Sequence, residues 1–250
     1  MKLKNYLNLL YPLIALAVFF AVWLIAAEII KIEVILPHPA QAFKQLLLLV
    51  KTMDFWTAIG HTLLRTFISF FISMSLALLL AALSSLFKPV YFLLSPLVII
   101  SRAVPTMSVI LLSLIWFTSD ITPMFIAFLI VFPMLYAGFY SAINNIDKDL
   151  IEMSKLYKVS KRIIVTKFYI PYIMPSFFDS VRSAISLNVK LIIAAEVLSQ
   201  TRHSMGVMMQ ISKQYLDTAS LIAWTIAAIV LSYLLEIAVA VLKKLCVRWK

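Results

Sequence analysis

The amino-acid sequence predicts an all-α polytopic membrane protein with about six transmembrane helices. Of its 250 residues, 63% are hydrophobic and only 13% charged, whereas a soluble domain carries about a quarter charged residues. The apolar residues fall in long blocks, and a spanning helix needs about 20 mainly apolar residues to cross a hydrocarbon core of about 30 Å. A membrane barrel would instead need alternating segments of about ten residues, and no such pattern is present.

The first span covers about 9–30. It follows Met1-Lys2-Leu3-Lys4-Asn5, which looks like the opening of a signal peptide. Its apolar run exceeds a usual signal core, and Ile25-Ala26-Ala27 is a poor cleavage site, so it reads as a retained span. The further spans are about 62–86, 90–117, 121–143, 181–200 and 219–242, within one transmembrane domain over 1–250. Between the first two, Leu36-Pro37-His38-Pro39 leads into Ala40–Lys51. Pro39 suits a first helical turn, so this segment reads either as a short interfacial helix or as a plain connector.

The net charge of +11 raises the question of nucleic acid, but its distribution argues against that partner. Fourteen of the 22 Lys and Arg lie at Lys2 and Lys4, at Lys88, at Lys148, Lys155, Lys158, Lys161, Arg162, Lys167 and Arg182, and at Lys243, Lys244, Arg248 and Lys250. With six spans these segments share one side of the membrane, and the positive-inside rule makes that side cytoplasmic. Both termini are expected inside, and the connections 31–61, 118–120 and 201–218 outside. Cys246 is the single cysteine, so no intrachain disulfide forms and no Cys/His metal cluster is expected. His38, His61 and His203 are scattered and read as structural or solvated.

Several polar groups interrupt the apolar blocks. Arg102 lies between Pro96 and Pro105 of the third span, about 12 residues or about 18 Å from its inner end. Snorkelling from that depth is strained, so Arg102 and Pro105 are expected to line a pathway or brace the bundle. Proline there, as at Pro133 in the fourth span, predicts kinks. The fifth span carries Ser183, Ser186, Asn188, Lys190, Glu196 and Ser199 and is expected to be central. Lys190 and Glu196 are about 240° apart around a helix, so each needs another partner, a symmetry mate being one candidate. Glu28 and Glu236 sit near span ends, where local pairing or snorkelling is expected.

The segment 144–178 is a charged, helix-prone island in this apolar chain. Asn145 or Asp147 can cap a helix, with Asp149 and Glu152 near its positive end. Ser160 can cap a second short helix from Lys161, and Pro171 and Pro175 are expected to end the region before the fifth span. This forms a knob under the membrane.

These residues resemble the signature of permease subunits of bacterial ABC importers. That family carries a cytoplasmic Glu-Ala-Ala motif, then a glycine, then Ile-x-Leu-Pro. This chain has Glu152-Met153-Ser154, Lys158 where the glycine would fall, and Phe168-Tyr169-Ile170-Pro171. Glu and Pro keep the family spacing; the alanines, glycine and leucine are replaced. The chain also resembles the branch transporting nitrate, sulfonates, taurine and related solutes. The residues involved are Leu36-Pro37, Ser101-Arg102-Ala103-Val104-Pro105, Ile115-Trp116-Phe117, Phe132-Pro133, Asp147-Lys148-Asp149-Leu150, Ala195-Glu196 and Met205-Gly206.

The resemblance implies a type I ABC importer permease fold with its core over about 60–242, in the bacterial cytoplasmic membrane. It implies two permease copies, most simply a homodimer, with two ATPase subunits below and an extracytoplasmic substrate-binding protein above. The coupling helix would comprise Glu152, Met153, Ser154, Leu156, Tyr157, Lys158 and Val159, and the pathway would involve Arg102, Pro105, Lys190 and Glu196. The chain would be no enzyme and hold no cofactor. Consistent with a separate ATPase, Gly60, Gly138 and Gly206 are its only glycines, so it has no G-x-x-x-x-G-K-[ST] loop. An ion-gradient-driven secondary transporter is the alternative, but it leaves the 147–175 island without a role, and no internal repeat is visible. A structural or enzyme-anchoring subunit would leave the mid-membrane charges without one.

Overall fold

The computed structural model describes residues 2–146, 152–154, 156, 157 and 159–247, and it is helical almost throughout. The helices are α1 (Lys2–Ile30), α2 (Pro39–Leu49), α3 (Met53–Leu86), α4 (Lys88–Ala103), α5 (Thr106–Trp116) and α6 (Thr122–Asn144). After the cytoplasmic segment come a helical turn at Lys161–Ile163, a π-helical stretch at Ile164–Tyr169, and α7 (Ile170–Ser199). The chain closes with α8 (Met205–Gln214) and α9 (Thr218–Cys246).

Leu10–Ile30, Met53–Leu86, Thr122–Asn144 and Thr218–Cys246 are each long and apolar enough to cross a membrane. The 30 residues of α7 are also long enough, at about 45 Å, but carry the polar load predicted for the fifth span.

The third span departs from its expected form. Instead of one kinked helix over 90–117, α4 and α5 meet at a bend of 101°. Val104 (φ −68°, ψ 129°) and Pro105 (φ −60°, ψ 124°) are both extended. Proline removes a backbone donor and forces the preceding residue out of the helical region. Pro133 has the same chemistry, yet α6 runs through it. The difference is packing: Pro133 is buried, whereas 102–108 are all exposed.

A second correction concerns Pro171 and Pro175, which do not end the cytoplasmic region. Helical structure is continuous from Lys161 to Ser199. The π-helical stretch lets Ile170 N–H bond to the Val165 carbonyl, five residues back. Pro171 then enters at the start of α7, where its missing donor is least costly.

The core is built where α3, α6 and α7 pack together, around Phe70, Val131, Leu135, Phe139, Val181 and Ile185. Lipid gives no hydrophobic drive for helices to associate, so close approach of small residues carries the packing. The buried face of α3 is such a stripe: Ala58, Thr62, Thr66, Ser69, Ser73, Ala77, Ala81 and Ser84. On α6, a Cβ at Gly138 would lie 2.5 Å from Ser180 Oγ, so glycine sets the α6–α7 spacing. Asn188 of α7 donates to the Thr66 carbonyl at 2.8 Å and sits 3.1 Å from Ser69 Oγ. By contrast α1 is peripheral. It meets α2 and the turn before it, with Trp23 Nε1 donating to the Pro37 carbonyl at 3.1 Å and Phe20 packing on Phe43.

Candidate functional site

Polar residues that the bundle brings together form two groups on α7. The first closes its C-terminal end. Glu196 is fully buried. Arg65 Nη1 of α3 donates to its Oε1 at 3.2 Å, and Thr62 Oγ1 lies 3.0–3.1 Å from both carboxylate oxygens. Gly206 N–H, in the first turn of α8, donates to Oε2 at 3.3 Å. The positive end of α8 therefore faces the carboxylate. Arg65 Nη2 also reaches Asp120 Oδ1 at 3.0 Å and the Arg202 carbonyl at 3.2 Å.

Local sequence builds this junction. Gln200 takes the left-handed conformation (φ 50°, ψ 45°) and turns the chain out of α7. Thr201 Oγ1 donates to the Ser119 carbonyl at 2.8 Å, and Ser204 accepts from Val207 N–H to start α8. Glycine is required at 206. A Cβ there would lie 2.5 Å from Glu196 Cβ and 2.7 Å from both Ile193 O and Val197 N. The partner expected for Glu196 is thus within the chain, not on a symmetry mate. The sequence alone does not single out Arg65 or Asp120. The signal for Arg65 is its place beside Thr62 and Thr66 on the small-residue stripe of α3.

The second group lies on the open face of α7. Asp179, Arg182, Ser183, Ser186, Leu187 and Lys190, with Glu236 of α9, line an open cavity of about 410 Å³. Arg182 pairs with Glu236 at 3.3 Å, and Asp179 pairs with Lys243. Glu236 thus has the local partner expected of it, and Glu28 lies 3.8 Å from His38. Ser186 and Ser232 share a hydrogen bond of 3.1 Å. Lys190 is exposed and makes no ion pair among the described residues.

Of the other residues named from sequence, Arg102 ends α4 with its side chain exposed, donating from Nη2 to the Pro133 carbonyl at 2.9 Å. Pro105 is exposed at the α4–α5 break. The two are not gathered with Lys190 in the α7 cavity. On the cytoplasmic segment, Glu152–Ser154 and Leu156 are helical. Tyr157 N–H bonds to the Met153 carbonyl at 3.1 Å and Val159 N–H to that of Ser154 at 3.0 Å. Ser154 is buried, while Met153, Leu156 and Tyr157 are 46%, 81% and 78% exposed. Lys158 lies outside the described residues, as do Asp147–Leu150.

A helical membrane bundle with a broken helix, a polar open face on a central helix and an exposed apolar turn between two helices fits a membrane transport subunit. Comparison with known proteins makes the class specific. The family model for the binding-protein-dependent transport system inner membrane component matches residues 73–248, and the chain belongs to that family.

Among relatives, the taurine transport system permease protein TauC of Escherichia coli strain K12 is 22% identical over 241 residues, covering 94% of this chain and 87% of that protein. The putative aliphatic sulfonates transport permease protein SsuC of the same organism is 28% identical over 150 residues, 59% of this chain and 56% of that protein. The Bacillus subtilis strain 168 protein of the same name is 21% identical over 94% of this chain and 85% of its own length. Among solved structures, an inward-facing MetNI methionine ABC transporter aligns with a TM-score of 0.62 at 19% identity, covering 75% of this chain and 93% of that one. It shares the fold. The chain is a multi-pass inner-membrane permease of the ABC importer type.

Proposed function

We propose that this permease passes a small solute of the sulfonate, taurine or nitrate kind, driven by ATP hydrolysis in separate subunits docked at its cytoplasmic turn. The observation that carries the reading is that turn. Met153, Leu156 and Tyr157 stand exposed beside Glu152 on the segment between α6 and α7, while Ser154 is buried. An exposed apolar cluster with a charged neighbour is the surface a partner protein covers. Glu152, Met153, Ser154, Leu156, Tyr157 and Val159, with Lys158, form the dock, and closure of the ATPase pair would move it. A binding protein delivers solute from outside, a second copy of the chain completes the pathway, and both termini are cytoplasmic.

The pathway wall is the open face of α7, because an exposed polar helix face is costly against lipid. Arg102 and Pro105 belong to the pathway region at the helix break, and Glu196 braces it. The tie of Glu196 to Arg65, Thr62 and Gly206 argues against a free membrane acid of the kind a proton-coupled carrier uses.

The test is a pair of variants, Glu152→Lys and Leu156→Asp, in the complete transporter. Both should insert normally, lose co-purifying ATPase and lose ATP-dependent taurine uptake in vesicles. Uptake that persists without ATP, or full ATPase recovery with both variants, would overturn the dock. Orientation is checked separately. In intact cells an impermeant thiol reagent should label Lys213→Cys and leave Cys246 untouched.

A further inference from the structure

The open face of α7 differs from the exposed faces of the long apolar helices α3 and α9. On α3 the exposed residues include Leu64, Phe67, Ile68, Phe71 and Ile72, and on α9 Ile229, Val230, Leu234 and Val241. Those faces suit hydrocarbon. On α7 the corresponding surface is Asp179, Arg182, Ser183, Ser186 and Lys190, around an open cavity. The charges there are not equivalent. Arg182 is neutralised by Glu236 at 3.3 Å, and Asp179 by Lys243. What remains is the ammonium of Lys190, with the hydroxyls of Ser186 and Ser183 about one and two turns away on the same face.

We propose that this cavity is an anion subsite, in which Lys190 supplies the charge and the Ser186–Ser232 hydroxyl pair a neutral donor for the sulfonate, carboxylate or similar oxyanion head of the solute, the Ser183 hydroxyl being engaged by the Asp179 carbonyl. The inference rests on the reading of α7 as pathway wall. A compact ammonium on a wall facing the pathway attracts a counter-charge, and among the described residues no acid supplies one at Lys190. The nearby carboxylates already have cations, so a cationic solute would have to break an existing pair. An anion breaks none. The volume of about 410 Å³ falls at the low end of small-molecule sites, fitting a solute of a few heavy atoms with its waters.

The test reads local charge and needs no knowledge of the solute. Ser186→Cys is made with Cys246→Ser in the full transporter and placed in nanodiscs, where reagents reach both sides. Its reaction rates with an anionic (sulfonatoethyl) and a cationic (trimethylammonioethyl) methanethiosulfonate are compared with those at Tyr215→Cys on the exposed outer connection. The anionic-to-cationic ratio at position 186 should exceed the reference by about tenfold. Lys190→Gln should abolish the excess and Lys190→Arg retain it, which separates charge from a folding defect. Reaction with both reagents at the reference ratio, or a ratio indifferent to Lys190→Gln, would overturn the anion subsite and leave the pathway wall standing. No reaction with either reagent would overturn the wall itself, and the subsite with it.

Discussion

On its packed face α7 ends in Glu196, wholly buried, with Arg65, Thr62 and Gly206 within hydrogen-bonding distance. On its open face the same helix presents Lys190, exposed and without an ion partner among the described residues. Six residues separate the two charges, and their surroundings differ completely. A membrane helix can spend polar groups in two ways. Satisfied within the chain, they fix one arrangement of helices; left open, they are available to water, solute or a second subunit. Substitutions on the two faces should therefore differ in kind. On the proposed reading of α7 as pathway wall, changes on the packed face should alter folding and changes on the open face should alter what is carried.

The largest effect is expected from Arg65→Leu, which leaves Glu196 buried without its cation. Breaking a buried pair by removing one partner costs about 3–5 kcal/mol, so the variant should accumulate poorly and unfold at markedly lower denaturant in detergent. Adding Glu196→Leu should recover much of that loss, because an apolar pair of similar volume is often neutral or better. A double variant as unstable as Arg65→Leu would mean that the cluster matters for more than charge balance. Gly206→Val comes next. Its side chain would press on the α7 backbone, and overpacking of this kind costs about 1–3 kcal/mol, readable as a lowered unfolding midpoint.

Smaller effects belong to the open face. Asp179→Asn removes the partner of Lys243 in a part-exposed pair and should cost no more than about 1 kcal/mol. Lys190→Met should change stability by no more than about 0.5 kcal/mol, as surface substitutions do. A large loss of stability in Lys190→Met would erase the distinction between the faces.

How much of this was legible in the sequence depends on the range of the interaction. The spans are written in hydropathy, so helices appear where the apolar blocks predict them. A break between α6 and α7 is legible from the charged island around Glu152, but the run of helix through Pro171 is not. That Glu196 needs a partner also follows from sequence, but the partner lies 131 residues away on α3, and only packing chooses Arg65 over a symmetry mate. The outcome at Pro105 was hidden for a related reason. Pro105 and Pro133 have identical backbone chemistry, and neighbouring helices decide which one breaks its helix. The π-helical stretch before Pro171 depends on an i→i−5 bond that no side-chain pattern announces.

The break at Pro105 has a consequence of its own. A helix that stops leaves its last carbonyls without partners, and the next helix begins with amides that have none. The 16 residues of α4 rise about 24 Å before stopping, which, for a helix entering from the membrane surface along the normal, brings these groups to a depth where lipid offers no hydrogen bonds. Bare backbone at that depth persists only where protein or a wet cavity covers it. The residues around the break, 102–108, are exposed within the chain. If α4 crosses the bilayer, hydration or a neighbouring subunit must reach Val104 and Pro105, and the main chain itself, independent of any charged side chain, calls for cover at this point.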